Sequence, residues 1–174
     1  KAVWPHMQAA QYGRIVLTTS SSGLFGNFGQ SNYGAAKMAL VGLMQTLALE
    51  GAKYNIHVNA LAPTAATRMT DGLMVPEVLR ALRPELVSPA MLVLAHESAP
   101  NRTILCAGAG SFEASNITMT RGVHINTDCV PLEKMDSRLA QQLAEVLNRQ
   151  GDIVPDNGFV QADVEIRKAQ QKLH

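Results

Sequence analysis

Residues 12–37 read YGRIVLTTSSSGLFGNFGQSNYGAAK, and the fold turns on them. Ile15, Val16 and Leu17 form an unbroken apolar run. Such a run fits a strand buried on both faces of a parallel sheet, so a strand is expected from Arg14 to Ser20. Gly13 suits the C-terminal cap of a preceding helix over Ala2–Gln11. Ser20 to Asn32 is turn chemistry, rich in Ser, Gly and Asn, and longer than an ordinary strand-to-helix connection; long loops in that place usually carry function. A helix is then expected from Asn32 to Gly51, with no charge between Lys37 and Glu50. A helix so apolar all round is covered on two sides. The sheet covers one. A second copy of the chain is expected on the other, giving a homodimer or homotetramer through helix 32–51. The small residues Gly34, Ala35, Ala39 and Gly42 permit close approach there.

Working outward, Ile56 to Pro63 reads as a second strand stopped by proline. Strand, long helix, strand is a βαβ unit with parallel strands. Thr64 to Leu73 reads as a loop with a short helical piece. Helices are expected over Pro76–Leu82 and Pro84–Glu97, and a third strand over Arg102–Gly108. The pattern is α/β, the C-terminal half of a Rossmann-like doubly wound parallel sheet. Past Gly110, one or two short strands are expected within Asn116–Ile125. Leu132–Asn148 reads as an amphipathic helix with Leu139, Leu143, Val146 and Leu147 on one face. Gln150–Gly158 reads as a linker, and Val160–Leu173 as a polar terminal helix. The expected organisation is a catalytic domain over 1–115 and a mostly helical C-terminal extension over 116–174.

Composition removes several classes of function. Of 174 residues, 47% are hydrophobic and 17% charged, the balance of a globular chain. The net charge is +1, and the basic residues are scattered, so no nucleic-acid partner is expected. No apolar run reaches the roughly 18 residues of a membrane span. No secretory signal is seen, so a cytoplasmic place is expected, or a peroxisomal one in a eukaryote. Cys106 and Cys129 form no CxxC, and His6, His57, His96, His124 and His174 are dispersed. No metal site is expected, and both thiols are expected to be reduced.

The chemistry gathers at one end of the sheet. Ser20 closes the first strand at its carboxyl end, and Tyr33 and Lys37, four apart, open the next helix on one face. On spacing alone, a snorkelling lysine beside a half-buried tyrosine is the simpler account of that pair. Ligands of open α/β sheets, however, bind outside the carboxyl ends of the strands. An ammonium near a phenol favours the phenolate, and a phenol so tuned can exchange a proton with a substrate oxygen. A serine hydroxyl can hold that oxygen. No side chain supplies a hydride, so a redox step needs a nicotinamide.

Ser20, twelve intervening residues, then Tyr33-x-x-x-Lys37 resembles the active-site signature of the short-chain dehydrogenase/reductase family. Asn59-x-x-x-Pro63 and Thr67 resemble the family's cofactor-closing segment. The resemblance covers about Lys1 to Gly110. It implies that Tyr33 is the general acid/base, that Lys37 supports it and holds the nicotinamide ribose, and that Ser20 orients the substrate oxygen. It implies that Pro63 and Thr67 lie near the nicotinamide. A closer resemblance runs to the dehydrogenase domain of type 2 peroxisomal multifunctional enzymes and their bacterial relatives. It rests on residues 12–37, on Gly26-Asn27-Phe28-Gly29-Gln30 within them, on Arg68-Met69-Thr70, on His96-Glu97-Ser98 and on residues 107–110. That implies a (3R)-3-hydroxyacyl-CoA dehydrogenase of fatty-acid metabolism using NAD or NADP, with NAD favoured. A 3-oxoacyl carrier-protein reductase and a hydroxysteroid dehydrogenase share the same triad.

The chain departs from the family in one respect. A glycine-rich dinucleotide fingerprint, its charge selector and the active-site asparagine belong upstream of Ser20, and none is present. Gly108-Ala109-Gly110 follows a late strand and reads as a turn. The chain is therefore expected to be inactive alone. A reading as an inactive dimerisation or scaffold module stands beside the enzyme reading.

Overall fold

The computed structural model describes residues 1–67 and 75–170, which fall into two compact units, Lys1–Ser115 and Asn116–His174.

In the first unit the elements run α1 (Trp4–Ala10), β1 (Gly13–Thr18), α2 (Ser21–Phe25), α3 (Ser31–Gly51), β2 (Ile56–Thr64), α4 (Pro76–Ala81), α5 (Ser88–Ala95), β3 (Ile104–Gly108) and β4 (Ser111–Ser115). One sheet has the order β1-β2-β3-β4. The first three strands are parallel, with Ile15 beside Val58 and Leu61 beside Leu105, and β4 is antiparallel to β3. Alternate side chains leave opposite faces of a strand. On one face Ile56, Val58, Ala60 and Ile104 pack against Val41, Met44 and Ala48 of α3, with Trp4 and Met7 at the margin. On the other, Leu61 and Ala107 pack with Val16 and Leu105 against Ala90 and Leu94 of α5. With helices on both faces, the sheet is doubly wound and Rossmann-like. The apolar run at residues 15–17 meets both faces, Ile15 and Leu17 on the α3 side and Val16 on the α5 side, but all three are only partly buried, short of the full burial expected, because β1 ends the sheet order.

Several boundaries depart from the sequence reading. Gln11, at φ 50°, takes the left-handed cap of α1, where Gly13 is expected to. Gly13 instead opens β1, where a β-carbon would come within 2.7 Å of the Met7 sulfur. The strand stops at Thr18 rather than Ser20, and the supposed loop contains α2. The helix expected over Pro84–Glu97 is a 3-10 turn at Pro84–Leu86 followed by α5. The third strand begins at Ile104 rather than Arg102. The next strand is β4, upstream of Asn116–Ile125. Ala109 (φ 51°) and Gly110 (φ 80°) both adopt left-handed backbone, which turns β3 directly into β4. Among the described residues, 116–125 hold only an isolated bridge, Met119 to Ile153. The helical piece expected within Thr64–Leu73 and the Arg68-Met69-Thr70 likeness fall mainly on residues 68–74, outside the described residues.

Of α3, only one stripe is covered. Val41, Met44, Ala48 and Gly51 are buried, while Met38, Leu43 and Leu49 are exposed. The second unit holds α6 (Met135–Val146) and α7 (Phe159–Gln170). None of its described residues is buried, and Leu139, Leu143 and Leu147 of the expected apolar face are exposed. Both cysteines are free thiols. Among the described residues no helix is long and apolar enough to cross a membrane, and no cluster of His, Cys, Asp and Glu could hold a metal.

Candidate active site

The buried stripe of α3 recurs every three or four residues, at 41, 44, 48 and 51. Carried back by the same spacing it reaches Lys37 and Tyr33, which lie on the sheet-facing side but in the first two turns of the helix. There the sheet has ended. The Lys37 ammonium donates to the carbonyl of Thr18, the last residue of β1, at 2.9 Å. The Thr19 hydroxyl donates to the Lys37 carbonyl at 2.8 Å. Lys37 Nζ sits 5.7 Å from the centroid of the Tyr33 ring. Tyr33 is 37% exposed, and its hydroxyl makes no hydrogen bond among the described residues.

Ser20 follows directly. It has extended backbone and caps α2, its Oγ accepting from the Ser22 amide at 3.2 Å. The capping bond occupies one lone pair and leaves the hydroxyl proton and a second lone pair available. The short helix α2 seats on α3 through two glycines. A β-carbon at Gly23 would lie 2.8 Å from Lys37 Cβ, and one at Gly34 would lie 3.1 Å from the Ser22 carbonyl. Hydroxyl, phenol and ammonium are therefore carried on elements packed within a few ångströms of one another.

Pro63 sits near the carboxyl end of the neighbouring strand. Thr18 pairs with Leu61, so Pro63 lies two residues beyond the end of β1. Thr67 lies three residues past β2 and is exposed. Asn59 of the N-x-x-x-P match does not join the site. It is fully buried and ties the loop before β3 to β2, donating to the Pro100 carbonyl at 2.7 Å and accepting from the Thr103 amide at 2.9 Å. The sequence reading missed α2, the Gly23 and Gly34 contacts and the part played by Thr19. The run of Thr and Ser at 18–22 is the available signal, since a serine before a short apolar turn is an N-cap pattern.

Among the described residues, groups suited to a nicotinamide dinucleotide are found for one of its ends. Tyr33, Lys37 and Pro63 offer donors and a wall at the carboxyl ends of β1 and β2. A pyrophosphate needs a glycine turn leading from a strand into a helix. The Gly108–Gly110 segment leads from β3 into β4, an antiparallel hairpin with no helix behind it.

Residues 1–75 match the short chain dehydrogenase family. Through its first unit the chain belongs to the short-chain dehydrogenase/reductase family. A Mycobacterium tuberculosis protein named for short-chain type dehydrogenases/reductases is 59% identical over 114 residues, covering 65% of this chain and 40% of that protein. The Saccharomyces cerevisiae peroxisomal hydratase-dehydrogenase-epimerase is 49% identical over 129 residues, covering 74% of this chain but 14% of that one. The chain thus spans well under half the length of these relatives. Among solved structures, the full-length peroxisomal multifunctional enzyme type 2 of Drosophila melanogaster superposes with a TM-score of 0.84 at 31% identity, over 99% of this chain and 31% of that one. A 7α-hydroxysteroid dehydrogenase complexed with NADH and 7-oxo glycochenodeoxycholic acid superposes with a TM-score of 0.53 at 26% identity, over 62% of this chain and 47% of that one.

Proposed function

We propose that this chain is the catalytic half of a short-chain dehydrogenase/reductase that interconverts a secondary alcohol and a ketone with NAD or NADP, its substrate a (3R)-3-hydroxyacyl-CoA. The convergence of Ser20, Tyr33 and Lys37 at the carboxyl end of β1 carries the reading. Ser20 Oγ, with its proton and second lone pair, holds the substrate oxygen. Tyr33 Oη takes the proton of the substrate hydroxyl in oxidation and returns it to the carbonyl oxygen in reduction. Lys37 has three donors, of which one is used on Thr18, leaving two for the Tyr33 oxygen and the nicotinamide ribose. When bound, the nicotinamide supplies the hydride chemistry that no side chain can. Pro63 and Thr67 close against it.

The cradle for the rest of the dinucleotide, in this reading, lies in sequence outside this chain. NAD is favoured over NADP through the likeness to the multifunctional enzymes. That likeness also points to the thioester substrate, and the peroxisomal names of the yeast and fly relatives set the peroxisome beside the cytoplasm as the proposed location. Assembly is placed on the open face of α3, where Met38, Leu43 and Leu49 surround Ala35, Ala39 and Gly42.

The test uses the complete protein, with (3R)- and (3S)-3-hydroxyacyl-CoA, NAD and NADP, followed by absorbance of the reduced cofactor. Turnover of the 3R thioester alone is expected. Turnover of neither enantiomer, with a folded protein that binds cofactor, contradicts the thioester assignment.

A further inference from the structure

Lys37 is gripped at both ends. Its ammonium donates to the Thr18 carbonyl, and its own carbonyl accepts from the Thr19 hydroxyl, so one dipeptide holds the tip and the base of the same side chain. Between them, the stem packs on Gly23, where no β-carbon fits. Thr19 is 1% exposed. A hydroxyl so buried must find a partner, and the partner here is a helix carbonyl whose second lone pair is free to accept it. The Thr19 amide meanwhile donates to the Leu61 carbonyl of β2 at 2.8 Å. The next residue along is Ser20. Thr19 therefore joins β1 to β2 through its backbone and to α3 through its side chain, and fixes where Ser20 leaves the sheet.

We infer that Thr19 is a positioning residue of the site: its buried hydroxyl sets the depth of α3 at Lys37 and thereby keeps the ammonium beside Tyr33. The inference rests on the dehydrogenase reading above. Lysine has long, freely rotating torsions, and an ammonium that drifts by an ångström no longer meets both the phenol and a ribose. Misplacement on that scale costs on the order of a hundredfold in rate. The physical cause is local, because the hydroxyl bonds the same residue that bears the working ammonium.

The complete protein tests this with a double-mutant cycle. Thr19→Val keeps the shape and removes the donor, and Lys37→Met removes the ammonium. Turnover (kcat), KM for the thioester and the cofactor Kd are measured for wild type, each single variant and the pair, with Tm alongside. Thr19→Val is expected to lower kcat roughly tenfold to a hundredfold with KM changed less than about threefold. Thr19→Ser, which restores the hydroxyl, is expected within about threefold of wild type. In the Lys37→Met background, adding Thr19→Val is expected to cost almost nothing further, because its effect acts through the ammonium. Full additivity of the two losses, or wild-type kcat in Thr19→Val, overturns the inference. If Thr19→Val does not fold, Thr19→Ala, which cannot overpack, is read in its place against Thr19→Ser, and equal rates for these two likewise overturn it. Normal turnover by Lys37→Met alone is a different failure, since it removes the dehydrogenase reading itself.

Discussion

At the scale of single residues, Ser20 serves the fold and, in the proposed function, the chemistry as well. Ser20 caps α2 and presents a hydroxyl at the site. Ser20→Ala is expected to lose about 0.5–2 kcal/mol of stability through the missing cap, together with turnover. Denaturant unfolding and kcat, measured on the same variant, separate the two losses. The cysteines differ in a way that thiol chemistry can read. Burial, and then the carboxylate of Glu113 facing it across the β3–β4 pair, pushes the Cys106 thiol above its ordinary value. A raised thiol holds less thiolate at neutral pH, and thiolate is the reactive form. Alkylation is therefore expected first at Cys129, which is exposed, and Glu113→Gln is expected to speed Cys106 only modestly because burial persists. Mass spectrometry over an iodoacetamide time course checks both; faster labelling of Cys106 contradicts them.

At the scale of elements, α3 carries two opposed surfaces. Its sheet-facing stripe ends in the lysine and tyrosine of the site, and its other face is apolar and open. Ala39→Asp places a charge on the open face and is expected to dissociate the assembly with the fold intact. Met44→Asp instead buries an unpaired charge at a position that is 0% exposed, and is expected to unfold the first unit. Ultracentrifugation and circular dichroism distinguish these outcomes, and a wild-type protein that remains monomeric at high concentration contradicts the interface. Much of this was legible in sequence. Three apolar residues in a row at 15–17 are what two-sided burial requires, and the helix that follows them had no polar face to place in water. The start of α3 was legible to within a residue, because Tyr33 and Lys37 share a helical face by their spacing, whereas the end of β1 at Thr18 was not. What escaped was set by close approach in three dimensions. The helix α2 is five residues long, too short to show a period, and exists because Gly23 and Gly34 let it lie against α3. The strand β4, SFEAS, alternates only Phe112 and Ala114 with polar residues over five positions, too short a pattern to mark a strand, and is nearly all exposed; its place follows from a two-residue turn.

At the scale of the whole molecule, the two units differ in how they are held. The first has helices packed on both faces of its sheet, and the second has no buried residue among those described. A unit of that size without a core is marginal by itself. Limited proteolysis of the 174-residue chain is expected to cut within 116–174 before it cuts within 1–115, with fragment masses as the readout. The asymmetry has a counterpart in the chemistry. In the proposed reading the chain offers the nicotinamide end of a dinucleotide site, and its described residues form no cradle for a pyrophosphate, so the 174-residue chain alone is expected to bind NADH weakly and to turn nothing over. Calorimetry against the complete protein checks this, and tight binding by the chain alone would show that its own residues supply the cradle.

The proposed proton exchange at Tyr33 is tested by the turnover of Tyr33→Phe in the complete protein. The variant keeps the ring and removes only the phenolic oxygen. A fall in kcat of roughly a hundred to ten-thousandfold is expected, with circular dichroism and cofactor Kd close to wild type. Near-normal turnover by the folded variant would contradict it.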